Sequence, residues 1–384
     1  MDFDLSSDEI DFKDHVIRVI KERISPEYPK WRDEKTTPRR MFEIWGEEGL
    51  LGFRDRDGEI GQIPWLENIH LYKELARYSG GLGIATFVQG QLGNQALALY
   101  ANEDQIEEYL RPGITGERLF AFANTEPSAG SDASAIKLKA EEKGDHYLVN
   151  GMKAYITNAD FADDIIFTAV TDPDAEKPHK GISMFMIPGD CEGLHRMRLK
   201  KFGWAESHLC TLRFEDVKVP KENMVGKEGR GFYQTMEIFN NGRIGVAALA
   251  FGSALGAYDN ALKHARRRKA FGSTLFDHES KRNEFADNLA LLQAGWLLIQ
   301  KAAFESDRGR DFKHFASISK LFNTEEGMKI AIWGAVTLGA RGVIEQNPIS
   351  GFPHDSLASI IGEGAPEVQK KIISQHIDEI LDGI

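Results

Sequence analysis

Only two cysteines, Cys191 and Cys210, occur in 384 residues, too few for the paired framework of a small secreted domain and in keeping with a reducing compartment. No apolar run approaches the ~18 residues of a membrane span. The start, MDFDLSSDEI, is acidic where a secretory or transit peptide would be basic, so the expectation is a cytoplasmic protein with no membrane partner. Positive charge is in short supply: 47 Lys and Arg against 59 Asp and Glu leave a net charge of -12. Such a surface repels polyanions, so no nucleic-acid partner is expected and a phosphate-bearing ligand must be held by a local patch. Walker A, HExxH, paired CxxC, GxSxG and spaced GxGxxG signatures are all absent. The 11 histidines are scattered without ligand spacing, and no metal is expected.

What is present is an ordinary globular composition: 42% hydrophobic, 28% charged, mean hydropathy -0.36. Disordered and collagen-like classes are excluded, and at roughly 100–200 residues per domain the length suggests two or three domains. Ser6-Ser7-Asp8-Glu9 has capping-box spacing, followed by Ile10, Ile17, Ile20 and Ile24 in helical steps. Helical patterning with few strand signals continues to about residue 118, which predicts an N-terminal α-helical domain over 1–119. The texture then changes. Tyr147 to Val149, an Asn150-Gly151 type I′ turn signal and Met152 to Thr157 read as a hairpin; Ile165–Val170, Ile182–Ile187, Leu209–Phe214 and Val217–Val219 read as further strands. These predict a compact antiparallel β domain over 120–231. Beyond it, patterns at 232–267, 279–307, 312–345 and 363–381, with a stripe of Phe285, Leu289, Leu292, Trp296 and Ile299, predict a C-terminal four-helix bundle over 232–384. The fold class is therefore mainly α with a central β domain.

Two segments concentrate chemistry. Phe122-Ala-Asn-Thr125-Glu126-Pro127-Ser-Ala-Gly130-Ser131-Asp132 opens the β domain as either a plain turn or a loop whose backbone groups cradle a polar ring or a phosphate. His264-Ala-Arg266-Arg267-Arg268-Lys269 is the densest positive patch, at a helix end where cations complement the helix dipole. Trp204, in a Lys-x-Gly segment, is either a core residue or a wall of a pocket.

These segments resemble those of the acyl-CoA dehydrogenase family. TEPSAGSD at 125–132 is similar to the family's TEPxAGSD loop, Lys153-Ala-Tyr155-Ile156-Thr157-Asn158-Ala159 to K-x-W-I-T-N-A, Phe214 to Pro220 to FEDVxVP, and Arg268-Lys-Ala-Phe271-Gly272 to RxxFG. Their order and intervals agree over practically the whole chain. The resemblance implies the three-part plan that periodicity predicts, FAD as cofactor, and removal of hydrogen from Cα and Cβ of an acyl thioester. Ile361-Gly362-Glu363-Gly364-Ala365-Pro366-Glu367 resembles the family's I-Y-E-G-T loop, and the offset of Glu363 from Gly339 fits the catalytic base, the other reading being a solvated loop carboxylate. A minority of relatives carry the base just before an arginine matched here by Arg243; that position is Gly242, which has no carboxylate. A base suits the chemistry because the α-proton of a thioester is weakly acidic. An apolar pocket must raise the carboxyl pKa, while hydrogen bonds stabilise the enolate.

By the same carry-over, Phe122, Asn124, Thr125, Gly130, Ser131, Tyr155, Ile156 and Thr157 line the flavin, with Tyr155 in place of the usual tryptophan; the alternative for Tyr155 is an in-facing sheet aromatic. Arg268, Phe271, His278, Glu279, Val336, Gly339, Ala340, Ala365 and Glu367 serve the dinucleotide, with Arg268 reaching the pyrophosphate of a neighbouring subunit, which implies a homo-oligomer, commonly a tetramer. Ser131, Asn240, Arg243 and Gly364 are implied for the substrate. Departures cluster on the adenine side: Glu279 and Val336 replace glutamines, Gly339-Ala340-Arg341-Gly342-Val343 replaces GGxGY, and Ala365 replaces threonine. Asn240 replaces an aspartate near the pantetheine. The resemblance further implies an electron-transferring flavoprotein as partner and acyl-CoA as substrate in fatty acid metabolism. A carrier-protein-bound acyl group, a flavin monooxygenase on the same scaffold, and a scaffold without flavin are the alternative functions.

Overall fold

Ser6 caps the first helix as its spacing predicts: its Oγ accepts from Glu9 N–H at 3.3 Å while its own N–H donates to Glu9 Oε2 at 2.9 Å. In the computed structural model, which describes residues 5–382, this helix is α1 (Ser7–Val19). Its buried face is Phe12, Val16 and Val19, whereas Ile10 and Ile17 are exposed. The expected stripe is corrected by geometry: at about 100° per residue those two isoleucines fall opposite the core face, and the π-helical turn Ile20–Ile24 swings Ile24 back onto it. The N-terminal domain continues through α2 (Tyr28–Glu34), α3 (Arg39–Glu47), α4 (Trp65–Tyr78), α5 (Gly80–Phe87), α6 (Gln95–Tyr100), α7 (Glu103–Gln105) and α8 (Arg111–Ile114). One hairpin interrupts it. Strands β1 (Phe53–Arg56) and β2 (Glu59–Gln62) close on Asp57-Gly58, both left-handed, and their largely exposed faces explain the weak strand signal.

The middle domain comprises β3 (Phe120–Ala123), β4 (Lys139–Lys143), β5 (His146–Thr157), β6 (Asp164–Val170), β7 (Ile182–Pro188), β8 (Leu194–Arg198) and β9 (Leu209–Pro220), ordered β3-β6-β4-β5-β9-β8 with β7 on β6. Asn150-Gly151 is not a hairpin turn. β5 runs straight through it, and β9 joins what read as two strands. The pair carries matching irregularities, where the Asn150 side chain and Asp216 exchange hydrogen bonds of 2.9 Å and Gly151 takes φ +138; a β-bulge, like a turn, selects Asn and Gly. Nor is the sheet wholly antiparallel. β3 and β6 pair in parallel because the 124–163 crossover is long enough for it.

Four long helices follow: α9 (Gly231–Arg267), α10 (Glu279–Asp307), α11 (Lys313–Thr337) and α12 (Gly351–Ile361). Along α10, Phe285, Leu292 and Ile299 are buried but Leu289 is exposed. The expected fourth helix at 363–381 is corrected: α12 holds that place, and α13 (Pro366–Ser374) and α14 (Ile377–Asp382) come after a break. Left-handed Glu363 and Gly364 end the helical run, and Pro366 restarts it in the first turn. Helix α9 shows little amphipathicity because neighbours cover it on several sides. At Gly252 a Cβ would sit 2.3 Å from the Lys73 carbonyl oxygen of α4, so only glycine permits that approach. One apolar core runs from α1, α4 and α5 into α9–α11 and a second fills the sheet. No described helix is long and apolar enough to cross a membrane.

Candidate active site

A cleft of about 710 Å³ opens where three parts of the chain meet: α5 with its π-helical extension Val88–Asn94, the edge of the sheet, and the loop after α12. Its apolar wall includes Ile84, Val88, Leu92, Phe122 and Phe239, and its rim includes the 125–131 loop and Tyr155, Trp204 and Glu363. The TEPSAGSD segment is thus a wall of the cleft and not a plain turn.

That loop is pinned from beneath by a buried ion pair. Lys153 Nζ donates to Glu126 Oε1 at 3.0 Å and to the Asn124 carbonyl at 2.8 Å, and the Glu126 carboxylate accepts from Lys137 N–H at 2.7 Å and Leu138 N–H at 2.9 Å. Burial brings the Lys153 ammonium down to about 8 against the pull of Glu126. Breaking such a pair from one side leaves an uncompensated buried charge.

Three residues of the cleft are left-handed although none is glycine: Tyr155 (φ +62), Trp204 (φ +51) and Glu363 (φ +52). Such conformations cost on the order of 1–3 kcal/mol each and cluster at functional sites. Tyr155 lies at an irregularity of β5 between Lys153 and Ile156, which turns its ring out of the sheet into the cleft, where it is 60% exposed. It is not an in-facing core aromatic. Trp204 is partly buried, a wall as well as a packing residue; its backbone N–H donates to Asp355 Oδ1 at 2.6 Å, and its Nε1 is buried with no partner among the described residues. Burial, with Glu206 beside it, pushes the Asp355 carboxyl up.

Glu363 projects toward α9. Its Oε2 is buried without a hydrogen-bond partner among the described residues, and a Cβ added at Gly242 would lie 3.1 Å from it. Burial pushes this carboxyl up to about 7, against the attraction of Arg243 and Lys320. The backbone around it is tied down: Gln369 Nε2 donates to the carbonyls of Glu363 (3.2 Å) and Gly364 (2.9 Å), and Lys320 Nζ to that of Gly364 (2.6 Å). Glu363 is therefore no solvated loop carboxylate.

Of the residues singled out from sequence, Phe122, Asn124, Thr125, Gly130, Ser131, Tyr155, Ile156, Thr157, Glu363, Gly364 and Ala365 converge on this cleft. Arg243 is buried in α9, donating to Asn240 Oδ1 and attracted to Glu363. The others lie elsewhere. Arg268 lines a separate basic pocket with Lys263, His264, Arg267, Lys269 and Arg341. Phe271 is 98% exposed beside the His278 ring, and Val336 is 70% exposed. Glu279, Gly339, Ala340 and Glu367 are exposed at helix ends and turns. Lys320 and Asp355 escape a sequence reading because a charged residue in a helical pattern reads as solvated. The available signal for Lys320 was its place on a small-residue stripe with Ala316, Asn323 and Gly327. The absence of histidine spacing likewise hid a meeting across the fold: His314, His376 and Glu379 bring potential ligand atoms within 4.8 Å of one another.

Models of the acyl-CoA dehydrogenase N-terminal, middle and C-terminal domains match residues 6–117, 121–217 and 229–377. Among curated relatives, the caffeyl-CoA reductase–Etf complex subunit CarC of Acetobacterium woodii is 37% identical over 79% of this chain and 79% of its own. The 3-(aryl)acrylate reductase of Clostridium sporogenes is 35% identical over 96% of both. Butyryl-CoA dehydrogenase of Megasphaera elsdenii superposes with a TM-score of 0.92 at 30% identity, covering 98% of this chain and 100% of that one.

Proposed function

Since the chain belongs to the acyl-CoA dehydrogenase family of FAD-dependent oxidoreductases, we propose that it interconverts an acyl thioester and its α,β-enoyl counterpart with Glu363 as the proton-transferring residue. The observation that carries the reading is a carboxyl with a buried, unpartnered oxygen in an apolar cleft, raised to about 7. A general base is most effective when its pKa lies near operating pH, since it must be both ionised and basic. Deprotonated, Glu363 takes the α-proton; protonated, it returns one in the reverse direction.

The donor set fits the cofactor. The exposed Tyr155 ring and the Thr125, Ser131 and Thr157 hydroxyls suit an isoalloxazine. Six basic or imidazole side chains, Arg268 among them, suit a pyrophosphate in an otherwise acidic chain. When bound, FAD supplies hydride chemistry at the β-carbon. The cleft and the basic pocket share no lining residue, and Phe271, Val336, Leu297 and Ile332 leave apolar surface uncovered on this part of the chain. Both features support a homo-oligomer, a tetramer in our reading, in which Arg268, Phe271, His278, Glu279, Val336, Gly339 and Ala340 complete the dinucleotide site of a neighbouring copy. The Glu363 peptide N–H and Gly364 would meet the thioester, with Arg243 behind them.

Two relatives are named as reductases of aryl-bearing enoyl substrates, and Phe122, Trp204 and Phe239 give the cleft aromatic walls. An aryl or short acyl group fits this lining, and an electron-transferring flavoprotein, named with one relative's complex, fits as redox partner. The free thiols Cys191 and Cys210 suit the cytoplasm. A carrier-bound acyl group is the second reading, favoured by the neutral Asn240 beside Arg243; strong inhibition by free CoA esters would argue against it. The main test is anaerobic titration with saturated and aryl-enoyl thioesters while following flavin absorbance. Saturated esters bleach the oxidised flavin of the parent, enoyl esters reoxidise the reduced flavin, and Glu363→Gln retains flavin but loses both responses. Undiminished bleaching in that variant would overturn the assignment.

A further inference from the structure

We propose that Lys320 is a positioning residue for Glu363, its buried ammonium tying together both ends of the loop that carries the base. The inference rests on the reading of Glu363 given above. Helix α12 ends at Ile361, so the Ile360 carbonyl is among those left without an intrahelical partner. Lys320 Nζ, reaching across from α11, donates to that carbonyl at 3.3 Å and to the Gly364 carbonyl at 2.6 Å. One side chain thereby brackets Glu363 from before and after. The bracket has a purpose, because a left-handed glutamate persists only where its surroundings over-determine it. Lys320 is 1% exposed and, among the described residues, pairs with no carboxylate at salt-bridge distance, although burying an ammonium carries a penalty.

The same ammonium acts through charge. Among the described residues, Arg243 of α9 and Lys320 of α11 are the charged groups that act on Glu363, and both favour its ionised form. Burial brings Lys320 itself down to about 8, against the attraction of Glu363. Lys320 therefore gives up its charge well below the ordinary ammonium range. When it does, the loop loses a charged donor and the base loses a stabilising partner.

The test uses flavin-loaded protein and the pH dependence of kcat/KM, whose limbs report groups of the free enzyme. The parent should show an acid limb from Glu363 and an alkaline limb from Lys320. In Lys320→Gln, which keeps a donor but no charge, the alkaline limb disappears and the acid limb moves up by roughly one pH unit or more. Lys320→Arg keeps the charge throughout, so it loses the alkaline limb while the acid limb stays. Lys320→Met, lacking both donor and charge, lowers kcat on the order of 10- to 100-fold with KM little changed. If Lys320→Met fails to fold, the Gln and Arg variants decide. The Glu363 titration is also read without substrate, from the carboxyl infrared band that Glu363→Gln removes; Lys320→Gln should move it upward. Both limbs and the infrared titration unchanged in folded, flavin-loaded Lys320→Gln would overturn the proposal. An inactive parent in which the infrared titration still moves would overturn the functional reading and leave the tie standing.

Discussion

Replacing Glu363 by Gln should remove a pH-dependent stability penalty that the parent carries above neutral pH, while abolishing its chemistry. In the folded chain burial keeps this carboxyl protonated up to about 7, whereas in the unfolded chain it ionises near its ordinary 4.5. Between those values the native state binds more protons, so native stability is full below the unfolded pKa and is lost as pH rises through the folded one. At about 1.4 kcal/mol per pH unit the penalty approaches about 3 kcal/mol at neutral pH and above. Glu363 keeps some solvent contact along the open cleft, so about 2 kcal/mol is the working figure. Gln removes the ionisation but adds a buried amide whose donors lack partners, a cost of about 1–3 kcal/mol that does not depend on pH. The diagnostic quantity is therefore the slope. In urea unfolding of the FAD-loaded protein at a fixed oligomeric state, the difference between variant and parent should grow by about 2 kcal/mol from about pH 5 to about pH 8. Parallel stability curves, offset by a constant amount at every pH, would refute the claim that the folded protein holds this carboxyl against ionisation.

Lys153→Met should destabilise the fold by about 3–5 kcal/mol, since it strands buried Glu126; flavin content should fall in parallel, and a urea midpoint unchanged from the parent would contradict the pinning role of the pair. Gly242→Ala places a methyl group 3.1 Å from Glu363 Oε2 and 3.4 Å from Phe87 Cζ. Turnover should drop on the order of 10-fold or more with flavin retained, and parental kcat would show that the carboxylate does not need that space. Arg268→Ala should lower FAD retention during dialysis and loosen the oligomer on gel filtration, with Arg268→Lys intermediate because an ammonium cannot bind a phosphate in bidentate fashion; full retention in the Ala variant would remove Arg268 from the cofactor site.

The three-part architecture could be read from hydrophobic period alone because each part has one dominant period: 3.6 residues at either end and 2 in the middle. The errors fall where two structures share one local signature. Asn150-Gly151 serves a bulge as well as it serves a turn, and only the pairing with Asn150's partner Asp216, far along the chain, decides between them. The 363–381 pattern kept helical spacing across a break made by backbone conformation, to which period is blind. At the site, the motif residues of the cleft were readable because they are contiguous in short segments. Their supports were not. Asp355 meets Trp204 and Lys320 meets Gly364 only through tertiary packing.

Those supports follow one pattern, which accounts for charges the core would otherwise exclude. Each left-handed residue of the cleft has a buried charged side chain bonded to backbone at or near it. Lys153 stands under the strand leading to Tyr155 and bonds Asn124, whose neighbour Thr125 accepts from Ala154 N–H at 2.9 Å. Asp355 accepts directly from the Trp204 N–H, and Lys320 brackets Glu363. A buried charge is a poor source of net stability compared with an apolar residue of the same volume, but it is directional and strong once its partners are in place. Three strained positions, each on the order of 1–3 kcal/mol, require that kind of directional hold. Apolar packing could offset the strain energetically, yet it would leave the side chains free to relax out of the cleft. On this account replacing Asp355 by Asn, which keeps the acceptor and removes the charge, should preserve the aim of Trp204 better than replacing it by Leu. The two variants are separated by Trp204 fluorescence against a Trp204→Phe background, and equal spectra for both would show that packing alone holds the ring.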